Sequence, residues 1–175
     1  MKEFQAQDFD CIKKIIGKSV SNIFYQPVAD ILAYVDMFVV NFGEKAEMSL
    51  HIFSSFRVAD QNTVLLTCSD CYFGNDFERL TEEQIEESRD NCFKGTLLNT
   101  NINKLVKLLK NAKVIDAYAT NIGDIIIKFD NLITMDIRID ALCNQECYRL
   151  IIYTGDESQH NSVTCNYGRL YFDSN

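Results

Sequence analysis

The sequence predicts an α+β fold: a single domain over residues 1–175, in which an antiparallel, mostly meandering β-sheet is flanked by two or three α-helices. Three observations lead to this class. The length of 175 residues fits one domain. Runs of β-branched and aromatic residues follow one another across short polar turns, whereas only two stretches show a clear helical period. Strands in succession, without helices between them, favour an antiparallel sheet over a parallel one.

The first half of the chain begins with a predicted helix and continues with three predicted strands. Phe9, Ile12 and Ile15 form the apolar side of the helix, which extends to Val20. After Pro27 the pattern changes to β-branched and aromatic runs separated by polar turns. We predict antiparallel strands over residues 36–43, 46–58 and 63–72.

The second half of the chain contains two more helical signals and a series of strands. Thr81, with Gln84 three residues later, has the spacing of a capping box and predicts a short helix. A second clear helix is predicted over residues 102–111, where Ile102 and Leu105 lie on the apolar stripe. We predict strands over residues 114–120, 125–129, 132–139, 148–153 and 162–172.

The composition restricts the classes of partner. A net charge of −8 and an isoelectric point near 4.7 disfavour nucleic acid and anionic membranes, because affinity for phosphate depends on clustered Lys and Arg. A basic protein partner would be attracted instead. No stretch reaches the roughly 18 apolar residues of a membrane span, and the N-terminus lacks a signal-peptide pattern. The seven cysteines then fit reduced thiols, and the sequence predicts a cytoplasmic protein.

The segment 74–95 is the most polar part of the chain, and the stretch from Asp76 to Asp90 within it is a candidate docking surface. Its carboxylates can pair with Lys and Arg of a basic partner and accelerate the encounter. A solubilising acidic loop is the alternative explanation for the same charges. The candidate partner-binding residues are Asp76, Glu78, Glu82, Glu83, Glu86 and Glu87.

A zinc site is the alternative suggested by two pairs of cysteines. Four thiolates complete a tetrahedral shell, and the candidate ligands are Cys68, Cys71, Cys143 and Cys147. Against this, CSDC at residues 68–71 is expected to continue the preceding strand, and alternation would then place Cys68 and Cys71 on opposite faces. Thioredoxin-like chemistry is disfavoured as well, because no amphipathic helix follows Cys71.

Histidine chemistry has few places to occur, since the chain contains only His51 and His160. His51 is predicted to share a strand face with Glu47 and Ser49. Same-face neighbours on one strand lie about 7 Å apart, which is too far for the hydrogen bonds of a catalytic triad. We therefore predict no catalytic residues.

Residues 103–153 contain a recognisable pattern. A short helix leads into a strand, followed by Gly123-Asp124, the turn Phe129-Asp130-Asn131, a further strand, and Glu146-Cys147-Tyr148-Arg149. In these features the chain resembles small bacterial immunity-type proteins of polymorphic-toxin and contact-dependent inhibition systems. That family usually has Gly after the Asn of the turn and Trp in place of Tyr148, so Leu132 and Tyr148 are departures from it.

The resemblance implies a cytosolic α+β protein without catalytic machinery that binds and blocks one cognate toxin. Combined with the acidic segment, it predicts a non-enzymatic immunity protein for a basic toxin, with no cofactor and no nucleic-acid or membrane partner. A monomer or a homodimer is expected. The alternatives are a zinc-binding structural or interaction module and a small-molecule pocket between helices and sheet.

Overall fold

A computed structural model describes residues 2–3, 6–29, 34–139, 146–153, 160–166 and 169–174. The predicted α+β class with antiparallel strands is confirmed. Two α-helices, α1 (Glu82–Asp90) and α2 (Leu97–Leu109), and two 3-10 helices, Ala6–Ile15 and Cys68–Tyr72, accompany the strands. In chain order the strands are β1 (Lys2–Glu3), β2 (Val20–Ala29), β3 (Tyr34–Phe42), β4 (Met48–Ile52), β5 (Phe56–Ala59), β6 (Val64–Thr67), β7 (Val114–Ala119), β8 (Ile125–Phe129), β9 (Thr134–Ile137), β10 (Glu146–Tyr153), β11 (His160–Asn166) and β12 (Arg169–Ser174).

These strands are divided between two antiparallel sheets. The larger sheet has the order β1-β12-β11-β10-β4-β3-β2, and the smaller has the order β6-β5-β9-β8-β7. The smaller sheet is built entirely from the continuous stretch 56–137, which lies between β4 and β10 in sequence. Because β4 pairs directly with β10, the smaller sheet is an insertion between two adjacent strands of the larger one.

The chain crosses between the sheets at residues 53–55. The backbone N–H groups of Phe53 and Ser54 donate to the carbonyl of Cys147 at 2.9 and 3.1 Å, and that of Arg138 donates to Ser55 at 2.9 Å. The rings of Phe38 and Phe56 stack across the junction with their centroids 4.2 Å apart. The strand predicted over 46–58 is therefore wrong as one element: polar residues at 54–55 interrupt it, and its two halves belong to different sheets.

The first predicted helix is a 3-10 segment that is kinked at Phe9 (φ −100°, ψ 18°) and ends at Ile15 instead of extending to Val20, which opens β2. Phe9, Ile12 and Ile15 are fully buried and recur every three residues, the repeat of a 3-10 helix. Gly17, at φ +84°, allows the sharp exit from this helix.

The strand β2 is absent from the sequence prediction because Pro27 lies within it. Pro27 pairs with Asp36 of β3, and β2 is the last strand in the order of the larger sheet. Edge strands tolerate proline, since no ladder hydrogen bond from its nitrogen is required there. The strand predicted over 162–172 is likewise two strands, β11 and β12, which pair with each other.

The helix predicted over residues 102–111 is confirmed as α2, although it begins earlier, at Leu97. Its first turn is fixed by Thr96, whose hydroxyl accepts from the N–H of Asn99 at 3.4 Å. The apolar stripe of α2 faces the core, and its buried members are Leu98, Ile102, Leu105 and Leu109.

Candidate protein-docking surface

The acidic segment begins with a hydrogen-bonded turn. Phe73 and Arg79 form an isolated antiparallel bridge, and the N–H of Gly74 donates to the carbonyl of Glu78 at 2.9 Å. The N–H of Phe77 closes the turn by donating to the carbonyl of Gly74 at 3.0 Å. Two of the predicted residues, Asp76 and Glu78, therefore lie on this turn, which we call the 74–78 tip.

The remaining four predicted residues lie on α1, whose start follows the capping-box prediction. The hydroxyl of Thr81 accepts from the N–H of Gln84 at 3.3 Å, and the side chain of Gln84 accepts from the N–H of Thr81 at 2.9 Å. Glu82 and Glu83 occupy the first turn, where the helix dipole favours negative charge. The predicted short helix at Thr81 is thus confirmed.

The carboxylates of α1 are arranged as pairs of like charges. Glu82 lies one turn below Glu86, and Glu83 lies one turn below Glu87, so each pair repels at the i, i+4 spacing. Within the described parts of the chain, no Lys or Arg forms a salt bridge with any of these carboxylates or with those of the tip. All six predicted partner-binding side chains are exposed: Asp76, Glu78, Glu82, Glu83, Glu86 and Glu87.

The opposite side of α1 is attached to the body of the protein. Ser88 is buried, and its hydroxyl donates to the carbonyl of Ile85 at 2.8 Å. The N–H of Phe93 donates to the carbonyl of Ser88 at 2.6 Å, and the buried ring of Phe93 meets Tyr25 of β2 edge-on with centroids 4.7 Å apart. The helix is therefore held with its carboxylates directed away from the core.

Phe77 is a feature of this surface that sequence analysis missed. It lies between Asp76 and Glu78 at the tip, its side chain is 73% exposed, and its φ of +65° lies in the left-handed region. Non-glycine residues other than Asn and Asp rarely adopt this conformation. No periodic pattern in the sequence indicates such a position, because both the exposure and the positive φ follow from the turn.

The cysteines at 68–71 do not continue the strand, so that expectation is wrong. The carboxylate of Asp70 accepts from the hydroxyl of Thr67 at 2.8 Å and from the side-chain amide of Asn101 in α2 at 2.8 Å. These bonds turn the chain into the 3-10 helix Cys68–Tyr72. Cys68 and Cys71 consequently lie one turn apart on the same side, and the thiol of Cys71 donates to the carbonyl of Cys68 at 3.1 Å.

A cavity of about 330 Å³ lies beside this turn at the junction of the two sheets. Cys68, Cys71 and Cys147 all contribute to its wall, together with the aromatic rings of Tyr25 and Phe38. Among the residues that the structure describes, no three Cys, His, Asp or Glu side chains are grouped so as to hold a metal ion. Cys143, the fourth predicted zinc ligand, lies outside the described residues.

His51 lies on β4, opposite Arg149 of β10. Burial, followed by the positive charge of Arg149, lowers the pKa of His51 from its ordinary 6.5 to about 4. The imidazole is therefore neutral near pH 7. The hydroxyl of Ser49 donates to the side-chain oxygen of Asn41 at 2.7 Å, so it is not directed at His51.

The residues that carry the family resemblance hold the fold together. The buried hydroxyl of Tyr148 donates to the carbonyl of Gly123 at 2.8 Å, and the carboxylate of Asp124 accepts from the N–H of Ile139 at 2.9 Å. Glu146 and Arg149 form a two-point ion pair at 2.8 and 2.6 Å. Leu132 has a φ of +68°, which is the conformation that a Gly at this position would adopt without strain.

Among the described residues, none of the helices has both the length and the apolar composition of a membrane span. Comparison with protein families, curated proteins and solved structures finds no match to this chain. The resemblance to immunity-type proteins therefore stays a prediction.

Proposed function

We propose that this protein is a non-enzymatic, cytoplasmic binding protein of the immunity type, which binds and neutralises a basic toxin through its acidic surface. That surface comprises the 74–78 tip and the exposed side of α1. The resemblance in residues 103–153 supports the class of protein, and the charge of the surface supports the class of partner.

The observation that carries the proposal is the set of exposed, unpaired carboxylates on α1. Glu82–Glu86 and Glu83–Glu87 are like-charge pairs, each of which destabilises a helix by about 0.2–0.5 kcal/mol. Lysines interspersed with the glutamates of α1 would solubilise the surface without this repulsion. A partner that supplies the missing cations explains why the carboxylates are grouped.

The net charge of the whole chain also favours a basic partner. A net charge of −8 attracts a basic protein from a distance, and the attraction weakens within about 10 Å at 0.1 M salt. The encounter should therefore be fast at low ionic strength and slow at high ionic strength.

The test is a capture experiment with this protein as bait in lysate of its source cells, at low and at high salt. Two double variants change the net charge equally: Glu83→Lys with Glu87→Lys on α1, and Asp10→Lys with Glu44→Lys at exposed sites outside the surface. We expect one basic protein that elutes with salt from the wild type and from the second variant, and whose toxicity the bait suppresses. Equal retention by both variants would contradict docking through α1.

A zinc-binding structural or interaction module is the second candidate, with Cys68, Cys71, Cys143 and Cys147 as ligands. The observation in its favour is that Cys68, Cys71 and Cys147 line one cavity, although a bound ion would have to draw these three thiols closer together than they lie in the structure. Elemental analysis of protein purified without chelator decides it, because a structural zinc site is close to fully occupied. About one zinc per chain would support the module, and a much smaller amount would exclude it.

A further inference from the structure

Two phenylalanines adopt positive φ in the acidic segment, and only one of them is explained by packing. Phe93, at φ +57°, is buried against Tyr25. Phe77, at φ +65°, is 73% exposed. Burial of the ring compensates the strained backbone at Phe93, whereas the ring of Phe77 stabilises little within the monomer.

The ring of Phe77 is presented by a tethered turn. The carboxylate of Asp76 accepts from the N–H of Glu78 at 3.2 Å, and the side-chain oxygen of Asn75 accepts from the hydroxyl of Thr100 in α2 at 2.6 Å. Gly74 adds a close approach, because a Cβ at this position would lie 2.8 Å from the carboxylate of Asp76. An exposed aromatic side chain on a fixed backbone loses little conformational entropy when a partner covers it.

The charges beside the ring of Phe77 determine which kind of partner surface can cover it. Asp76 and Glu78 flank Phe77 directly, and the unpaired carboxylates of α1 follow within the same segment. An apolar pocket with an acidic rim would be repelled, whereas one rimmed by Lys and Arg is complementary. Large aromatic side chains that fill such pockets contribute most of the binding energy in many interfaces.

We propose that Phe77 is the apolar anchor of the docking surface and inserts into a pocket rimmed by Lys and Arg on a basic protein. This inference rests on the proposed function and deepens it: the carboxylates steer and orient the partner, and the ring supplies most of the affinity.

Leu132 provides a matched control position. It also combines positive φ, +68°, with an exposed side chain, 59%. It lies at the other end of α2: Gly74 pairs with Thr96 before the first turn, whereas Asn131 donates to the carbonyl of Leu108 near the last. At the helical rise of 1.5 Å per residue, these ends are about 18 Å apart.

The first experiment replaces Phe77 with the photoreactive analogue p-benzoylphenylalanine and, in a separate protein, replaces Leu132 in the same way. Both proteins are irradiated in lysate of the source cells, and the adducts are identified by mass spectrometry. We expect one adduct with a basic protein at position 77, suppressed by excess wild-type protein, and none with that protein at position 132. The absence of an adduct at 77, or equal adducts at both positions, would overturn the anchor.

The second experiment measures the affinity of the identified, purified partner for variants of this protein. We expect Phe77→Asn to bind at least about 30-fold more weakly and Leu132→Asn to bind as the wild type does. The thermal midpoints of both variants should equal or exceed that of the wild type, because Asn tolerates the left-handed region. Lost binding with retained stability would separate an anchor from a structural role.

The two proposals fail in different ways. If Glu83→Lys with Glu87→Lys weakens binding and Phe77→Asn does not, the acidic surface stands and the anchor is wrong. If Phe77→Asn weakens binding and the charge variant does not, the anchor stands and docking through the carboxylates of α1 is wrong.

Discussion

The two α-helices follow each other in the chain and are stabilised in opposite ways. Both begin after a capping threonine, Thr81 for α1 and Thr96 for α2. The stripe of α2 buries four large apolar side chains, whereas in α1 only Ser88 is buried. Packing therefore fixes α2, and capping and short connections fix α1. The difference shows that the exposed side of α1 has little structural role, which leaves its residues available for binding.

The largest expected effect concerns the buried stripe of α2. Leu105→Ala should lower the free energy of unfolding by about 2–5 kcal/mol, because it removes a side chain that is only 1% exposed and leaves a cavity. Urea denaturation monitored by circular dichroism measures the loss. Lys104→Ala, one residue away on the exposed side, is the control and should change the stability little. A small loss for Leu105→Ala would mean that α2 is not the better-packed helix.

A smaller effect is a pH dependence of stability that arises at His51, in the body of the protein, and not in α1. The folded state holds the pKa of His51 at about 4, whereas its ordinary value is 6.5, so the unfolded chain binds a proton that the folded chain does not. The contribution of His51 to stability is complete above pH 6.5 and falls as the pH decreases toward 4. The urea midpoint should therefore be lower at pH 5.5 than at pH 7, and this difference should be smaller in His51→Gln. α1 contains no histidine.

The cap of α1 is the next test. Thr81→Ala removes the hydroxyl that accepts from Gln84 and should cost about 1 kcal/mol. Because α1 has little packing, we expect the loss to appear as faster amide exchange within α1, with the exchange of α2 unchanged. Faster global unfolding with unchanged exchange in α1 would contradict this view of the helix.

The smallest effect is electrostatic. Glu86→Lys converts the repulsion with Glu82 into an attraction at the favourable i, i+4 orientation and should stabilise α1 by several tenths of a kcal/mol. The gain should decrease with added salt. Binding of the basic partner should weaken in the same variant. A variant that is both more stable and a weaker binder would show that α1 favours recognition over helix stability.

Much of the fold could be predicted because its signals are local. The Thr81–Gln84 capping box and the apolar stripe of α2 depend on residues within one or two turns, and both were predicted from the sequence. The strands β8 and β9 alternate cleanly, and β7, β8 and β9 all lie within the predicted ranges.

The missed features depend on contacts between distant residues. The division of 46–58 between two sheets is decided by pairing of β4 with β10 and of β5 with β9, which no local pattern reveals. The 3-10 turn at Cys68 depends on Asp70 reaching Asn101 in α2. Within the candidate site, the carboxylates could be identified from the sequence. The exposure of Phe77 could be identified only from the geometry of the tip.

The insertion of the smaller sheet between β4 and β10 has a consequence for folding during synthesis. The ribosome releases β4 long before β10. The edge of β4 that pairs with β10 therefore stays unpaired while residues 56–137 are synthesised. If that stretch collapses first, it brings its two ends together and shortens the loop that β4 and β10 must close. The smaller sheet would then assemble before the larger sheet is complete and would hold β4 and β10 close to each other.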